Sequence, residues 1–243
     1  FLQFVNELYS YDTKYSILYE YVQFNHVTSQ TMIKFIDVYD INDITNQAWK
    51  KLAERLIEET KQQKSLNDQT FSPNVNQQFD GIINYLVKQT NGNIDKEINF
   101  TASSIGSSDI NSFGPQCVSI FNDRNKIFHS NGNQNEWICF NFKNHQVIPT
   151  HYTLRSVDSR GDVNGYHLKS WVVEGSNDNS NWDNLDEQKD CNFLNGKGKI
   201  HTFKIEKETM KEYKYIRIKM TGNNWTGSNF FIIDSIEIYG TLI

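Results

Sequence analysis

All thirteen glycines and all three prolines of this 243-residue chain lie after residue 72. These two residues punctuate turns, so their one-sided distribution divides the chain into two segments built on different rules. The first segment must fold with long hydrogen-bonded runs and few tight turns. Ile44, Ala48, Trp49, Leu52, Ala53, Leu56 and Ile57 recur at helical spacing and form one apolar stripe. Asp43 or Thr45 can cap that helix. A shorter helix is expected from about Ser29, with Met32, Ile33, Phe35 and Ile36 apolar, and Phe1 to Leu8 and Tyr15 to Phe24 read the same way. Residues 1–60 are therefore expected to form three or four short antiparallel helices. Residues 61–78 are polar and without period and read as a linker. Phe79 to Lys88 follows as a short apolar, helical or irregular turn, so that 61–91 joins the helical part to a second domain over 92–243.

In that second part the hydrophobic period becomes two. Ile138, Phe140 and Phe142 alternate with Cys139 and Asn141, and Ile216, Ile218 and Met220 alternate with Arg217 and Lys219. Phe230, Ile232, Ile236 and Ile238 share one face of the final segment. Such runs are strands of an antiparallel sheet with one wet face. Polar turn clusters separate them: Asn131-Gly-Asn, Gly161 to Gly165, Gly175-Ser-Asn-Asp, Asn195 to Gly198 and Gly222-Asn-Asn. Many short strands with polar turns and no interleaved helices imply an all-β sandwich or jelly roll. Thirty-three aromatic side chains (16 Phe, 12 Tyr, 5 Trp) can fill its core from few positions.

Several functions are disfavoured. Formal net charge is −5, and neither segment is basic, which argues against a partner held by phosphate contacts. No apolar run approaches the length of a membrane span. Three cysteines, Cys117, Cys139 and Cys191, give neither a disulfide framework nor zinc spacing, so a reducing, cytoplasmic setting is expected. The chain starts at Phe1 with no signal-peptide pattern. The six histidines form no HExxH pair, and there is no G-x-S-x-G elbow or P-loop. The oxygens of Asn177 to Asp183 lack the glycine and glutamate of an EF-hand and read as a hairpin turn. Arg160-Gly-Asp162 and the sequons at Asn99 and Asn224 read as chance matches in an Asn-rich chain. No enzyme, cofactor or metal is expected.

Trp137-Ile-Cys-Phe-Asn-Phe142, Pro149-Thr-His-Tyr-Thr-Leu-Arg155, Leu168-Lys-Ser-Trp171-Val-Val-Glu-Gly-Ser-Asn-Asp178 with Trp182, Tyr213-Lys-Tyr-Ile-Arg217 and Ile236-Glu-Ile-Tyr-Gly240 follow one another along the chain. In this order they resemble the coagulation factor 5/8 type C, or discoidin, domain. The resemblance covers residues 92–243 and implies a discoidin-like jelly-roll sandwich with Trp171 in its core. Tyr21-Val-Gln-Phe24 and Trp49-Lys-Lys-Leu52-Ala-Glu-Arg-Leu56 resemble the BACK region that follows BTB domains, so a small α-helical BACK-like domain would precede the sandwich. Together they resemble a protist BTB–BACK–discoidin arrangement; this sequence contains no BTB domain, and if it is a fragment that domain would sit upstream of Phe1. Secreted discoidin domains usually close their two ends with a disulfide; here neither end carries Cys, which resembles the intracellular branch.

The resemblance implies a ligand surface on loops at one end of the sandwich, near 103–115, 128–135, 156–166 and 222–228. Phe128, His129, Arg155, Arg160, His167 and Trp225 are the candidate contacts there. An aromatic beside Arg or His can anchor a partner or stack on a sugar; the alternative is that Phe128 and Trp225 pack their own loops. The expected role is a non-enzymatic intracellular adaptor or scaffold that docks a protein partner. A cullin-type ubiquitin ligase reached through the BTB domain is one setting, and a fixed place in a cytoskeletal or axonemal assembly is another. A carbohydrate-binding module is the alternative from a different class.

Overall fold

The computed structural model describes residues 1–158, 165–206 and 210–243, with side chains considered outside 29 and 58–67. The chain divides into two compact units, Phe1–Asn67 and Asp68–Ile243.

The first unit is helical. Helix α1, Leu2–Tyr11, buries Leu2, Val5 and Tyr9, which share one face of the helix. A 3-10 turn, not the α-helix expected here, runs over Thr13–Tyr21. Helix α2, Ser29–Val38, starts where the Thr28 hydroxyl accepts from the Thr31 amide at 3.3 Å. Helix α3, Asn46–Asn67, starts with the Thr45 hydroxyl accepting from the Ala48 amide at 3.2 Å, which settles the choice of cap. The core is aromatic: Tyr19, Phe24, Phe35 and Tyr39 meet with ring centroids 4.6 to 5.4 Å apart. Arg55, 7% exposed, reaches across to donate 2.5 Å hydrogen bonds to the carbonyls of Phe24 and Val27.

The expected linker is largely ordered secondary structure. Helix α3 continues to Asn67, and Gln69–Phe71 forms strand β1 of the second unit. Its short alternation, Gln-Thr-Phe, carries too little apolar signal to announce a strand; pairing with the C-terminal strand decides it. The second unit therefore begins well before residue 92. Helix α4, Ile82–Gln89, buries Ile82, Ile83 and Leu86.

The remaining strands are β2 Asn99–Ala102, β3 Phe128–His129, β4 Trp137–Asn141, β5 Val147–Arg155, β6 Trp171–Ser176, β7 Asp183–Gln188, β8 Ile200–Lys204, β9 Tyr215–Met220, β10 Ile232–Ile233 and β11 Ser235–Leu242. A one-turn helix, α5, spans Ile110–Phe113. The strands form a five-stranded sheet in the order β2-β4-β9-β6-β7, a four-stranded sheet in the order β1-β11-β5-β8, and a two-stranded β10-β3 pair. The pairs are antiparallel throughout. The core between the two large sheets takes Ile138, Phe140, Trp171, Val173, Ile216 and Ile218 from one and Tyr152, Leu154, Phe203, Ile236 and Ile238 from the other.

The period-two reading of β9 holds, with Ile216, Ile218 and Met220 buried between half-exposed neighbours. The final segment differs. Asp234 breaks it, so that Ile232 pairs with β3 and Ile236 with β5. Strand β11 also has no wet face: Glu237 and Tyr239 are fully buried. The start of α4 lies on that face, where the Glu237 carboxylate accepts from the amides of Ile83 and Asn84 at 2.8 and 3.0 Å. An acidic group at a helix N-terminus satisfies amides that the helix itself leaves unpaired.

Candidate functional site at the loop end of the sandwich

The loops beyond β2, β3, β5 and β9 are tied to each other by three internal polar hubs. Glu136 is fully buried, and its carboxylate accepts from the Ser104 hydroxyl at 2.6 Å, the Asn133 amide at 2.8 Å and the Ser103 hydroxyl. Asn224, 2% exposed, accepts on Oδ1 from Thr226 and Ser228 and donates through Nδ2 to the Phe230 carbonyl at 3.0 Å. The sequon at Asn224 is thus an internal loop brace. His167 accepts on Nδ1 from the Gly196 amide at 2.9 Å, and its carbonyl accepts from the Trp225 amide at 3.1 Å. Each brace replaces water with a fixed partner, so the loops hold their spacing.

Above these braces lies a half-buried ring cluster. Phe230 is at its centre, 5.5 Å from His129 and 5.6 Å from Tyr166 between ring centroids, and Phe113 stands 6.3 Å from His129 on the other side. Ile127, Val157 and Ile232 are buried beneath it. Gly132 crosses the Phe230 ring with φ +82°, and a Cβ there would come within 2.7 Å of the ring, so the loop needs glycine on both counts. Burial lowers the His129 pKa, which leaves the imidazole neutral at pH 7. Beside the cluster is a hollow of about 210 Å³ lined by the amides of Gln134, Asn135, Asn223 and Asn229 and by Thr221.

The expected contact residues do not converge on one surface. Phe128 is fully buried, edge-to-face on Phe231 at 5.4 Å, because the register of β3 turns it into the core. His129, its neighbour, points the other way and joins the ring cluster. Arg155 is 5% exposed; its Nε donates to Asp234 at 2.6 Å and its Nη2 to Ser235 and the Phe121 carbonyl. His167 is 4% exposed, and burial lowers its pKa, so it is a brace and not a surface contact. Trp225 is half-buried, with Nε1 donating to the Cys191 carbonyl at 3.4 Å and the Lys169 ammonium 5.0 Å above its ring. Its indole is held against the Lys169 and Cys191 segments, which tie its loop to its neighbours. Arg160 and the Arg160-Gly-Asp162 tripeptide lie outside the described residues.

Phe113, Tyr166, Phe230, Glu136 and Asn224 were not singled out as contacts or braces from sequence. Phe230-Phe231 after a polar turn and a lone carboxylate at Glu136 in a Gly/Asn-rich loop were the signals present. Among the described residues no group of three or more His, Cys, Asp or Glu side chains could hold a metal ion, and no helix is long and apolar enough to cross a membrane.

The Drosophila melanogaster E3 ubiquitin-protein ligase Ufd4 is 30% identical over 118 residues, 47% of this chain and 4% of that protein. The Caenorhabditis elegans E3 ubiquitin-protein ligase hecd-1 is 31% identical over 98 residues, 40% of this chain and 4% of that protein. The chain thus matches only a small part of either relative's length. Among solved structures, an F5/8 type C domain from Bacteroides fragilis aligns with TM-score 0.48 and 18% identity over 60% of this chain and 93% of that one. The family 32 CBM of Clostridium perfringens NanJ, in complex with galactose, aligns with TM-score 0.44 and 15% identity over 60% of this chain and 95% of that one. The family model for the F5/8 type C domain matches residues 99–233, more than half of the sequence, and the chain belongs to the F5/8 type C, or discoidin, domain family.

Proposed function

We propose that this chain is a non-enzymatic protein-binding adaptor or scaffold module that docks a protein partner on the loop end of its discoidin sandwich. The observation that carries this reading is the Phe113–His129–Phe230–Tyr166 ring cluster, half-exposed and set on internally braced loops. Aromatic anchors on a pre-organised frame lose little entropy on binding and dominate protein interfaces. Ubiquitin-ligase relatives match 47% and 40% of the chain, which supports a docking role within a ligase assembly. Three free, buried thiols agree with an intracellular setting. A cullin-type ligase reached through an upstream BTB domain remains the finer form of the proposal, and a fixed place in a cytoskeletal assembly uses the same face. The helical unit is proposed to be BACK-like.

The test is a quantitative pull-down with mass spectrometry, comparing the wild-type chain with Phe230→Ala and Tyr166→Ala variants of unchanged circular dichroism. A stoichiometric partner lost by the variants is the expected result. Equal recovery by wild type and variants would remove the loop end from the function.

A carbohydrate-binding reading rests on a separate observation, the amide-lined hollow, whose Asn and Gln side chains each offer donors and an acceptor to sugar hydroxyls. On a glycan array, binding lost on Asn223→Ala and kept on Trp225→Ala would favour it; no binding at millimolar sugar would exclude it.

A further inference from the structure

Arg155 lines a second cavity, away from the ring cluster. This hollow, of about 370 Å³, lies between the start of α4 and the loop before β3, with Phe79, Asp80, Lys88 and Phe121 among its walls. It shares Asn84, Phe121 and Asn122 with a neighbouring hollow of about 470 Å³, so the two form one groove along α4. Both volumes lie within the range of sites that hold small ligands or short peptide segments.

The groove has a built polar floor. Arg155 is 95% buried, and Asp234, Ser235 and the Phe121 carbonyl take the hydrogen bonds of its Nε and Nη2. Its guanidinium carbon stands 4.9 Å from the Phe79 ring centre, and the Phe79 and Phe121 rings are 5.1 Å apart. Among the described residues Nη1 has no hydrogen-bond partner, and it is not one of the buried unpaired polar atoms, so it is open to a ligand from the groove. Asp80 supplies the opposite polarity. Its Oδ1 accepts from Asn84 at 2.9 Å and from Lys88 at 2.8 Å, while Oδ2 takes no hydrogen bond among the described residues.

Net charge does not select the ligand. Asp234 faces Arg155 at 2.6 Å, Asp158 lies 3.9 Å from Arg124, and Asp80 pairs with Lys88. The selection comes from the pattern: donors at Arg155 and Lys88, an acceptor at Asp80, and two phenyl rings between them. A polypeptide with an acidic side chain beside an apolar one has that pattern, with a carboxylate for the donors, a backbone N–H for Asp80 and an alkyl or aryl group for the rings. A simple anion leaves the rings and Asp80 unused.

We propose that the groove between α4 and Phe121 binds an extended acidic–apolar segment of a partner protein, with Arg155 as carboxylate receptor. The proposal stands independently of the loop-end reading, because it uses none of the ring-cluster residues.

The experiment is a titration of the full 15N-labelled chain, followed by NMR. The probes are acetyl-Leu-Asp-Leu-amide, its Leu-Asn-Leu counterpart, free leucine and propionate. The aspartyl peptide is expected to shift the Arg155 Nε–H and the side-chain amides of Asn84 and Asn122. It should bind about tenfold more tightly than the asparaginyl peptide, as expected for loss of one charge-assisted hydrogen bond. Lys88→Gln and Asn122→Ala, both at exposed positions, should each weaken it severalfold. Phe230→Ala should leave it unchanged, which separates this site from the loop end. Equal affinity for the two peptides, equal affinity for leucine or propionate, or no shift at millimolar peptide would each overturn the proposal.

Discussion

The indole Nε1 of Trp171 donates a 3.0 Å hydrogen bond to the Tyr152 hydroxyl, joining the five-stranded sheet to the four-stranded one through the middle of the core. The same hydroxyl donates to Asp186 Oδ2 at 2.6 Å, and all three side chains are at most 3% exposed. One phenol oxygen therefore satisfies two buried groups. Tyr152→Phe should leave the indole N–H unpaired and the Asp186 carboxylate with Gln188 alone, at 3.1 Å. The expected loss is about 2 kcal/mol, read as a lower urea midpoint with unchanged slope. A midpoint equal to wild type would show that this chain of bonds contributes nothing.

Stability should also depend on pH through Glu237. Burial pushes its carboxyl up to about 7 against the 4.5 of a free glutamate, although the amides of Ile238, Ile83, Asn84 and Gly81 pull it back down. A carboxyl raised in the folded state is neutral in both states below its unfolded pKa. Between 4.5 and about 7 the unfolded chain releases a proton that the folded chain retains, so stability falls as pH rises through that window and then levels off. The predicted drop is on the order of 3 kcal/mol. Denaturation midpoints of wild type and Glu237→Gln should differ in slope across this window and run parallel above it. Parallel curves from pH 4 to 8 would rule out this titration.

Asn224→Ala removes the brace of the last loop while leaving the core intact. Hydrogen exchange of residues 222–230 should accelerate, with a global loss of about 1–2 kcal/mol. If the proposed function holds, partner binding weakens too, because Phe230 loses the contact to its carbonyl. Unchanged exchange in this loop would count against Asn224 as its organiser.

Gly175→Ala probes close packing in the motif that carried the family resemblance. A Cβ at this position would stand 2.6 Å from the Tyr213 ring, which is itself buried. The ring must move against its neighbours, and a loss of about 1–3 kcal/mol is expected in thermal or urea unfolding. A variant as stable as wild type would mean that the ring relocates freely.

The division of the chain and the identity of its second part were legible because they are written in local pattern: turn residues confined to one segment, a period of two, and Trp171 with its Gly-Ser-Asn-Asp turn. The contact residues were less legible. Arg155 and Phe128 were expected as contacts because the resemblance puts a ligand surface on the loops beside them, but their exposure depends on what packs across from them. Asp234 and Ser235, some eighty positions later, draw Arg155 inward, while β10 pairs with β3 and Phe231 covers Phe128. In the same way β1 carries almost no apolar signal and exists as a strand through its pairing with β11.

Sequence alone determined that the chain has a helical part and a sandwich of short strands, since periodicity and turn chemistry act over a few residues and need no distant partner, and the order of its motifs added the resemblance to the discoidin family. Tertiary structure decided which side chains reach the surface. It drew Glu136, Asn224 and His167 inside as braces, gathered Phe113, His129, Tyr166 and Phe230 from four separate segments, and moved Arg155 to a groove beside α4. The physical reason is that burial and hydrogen-bond satisfaction are properties of pairs brought together by the fold, and no single stretch of sequence contains both members.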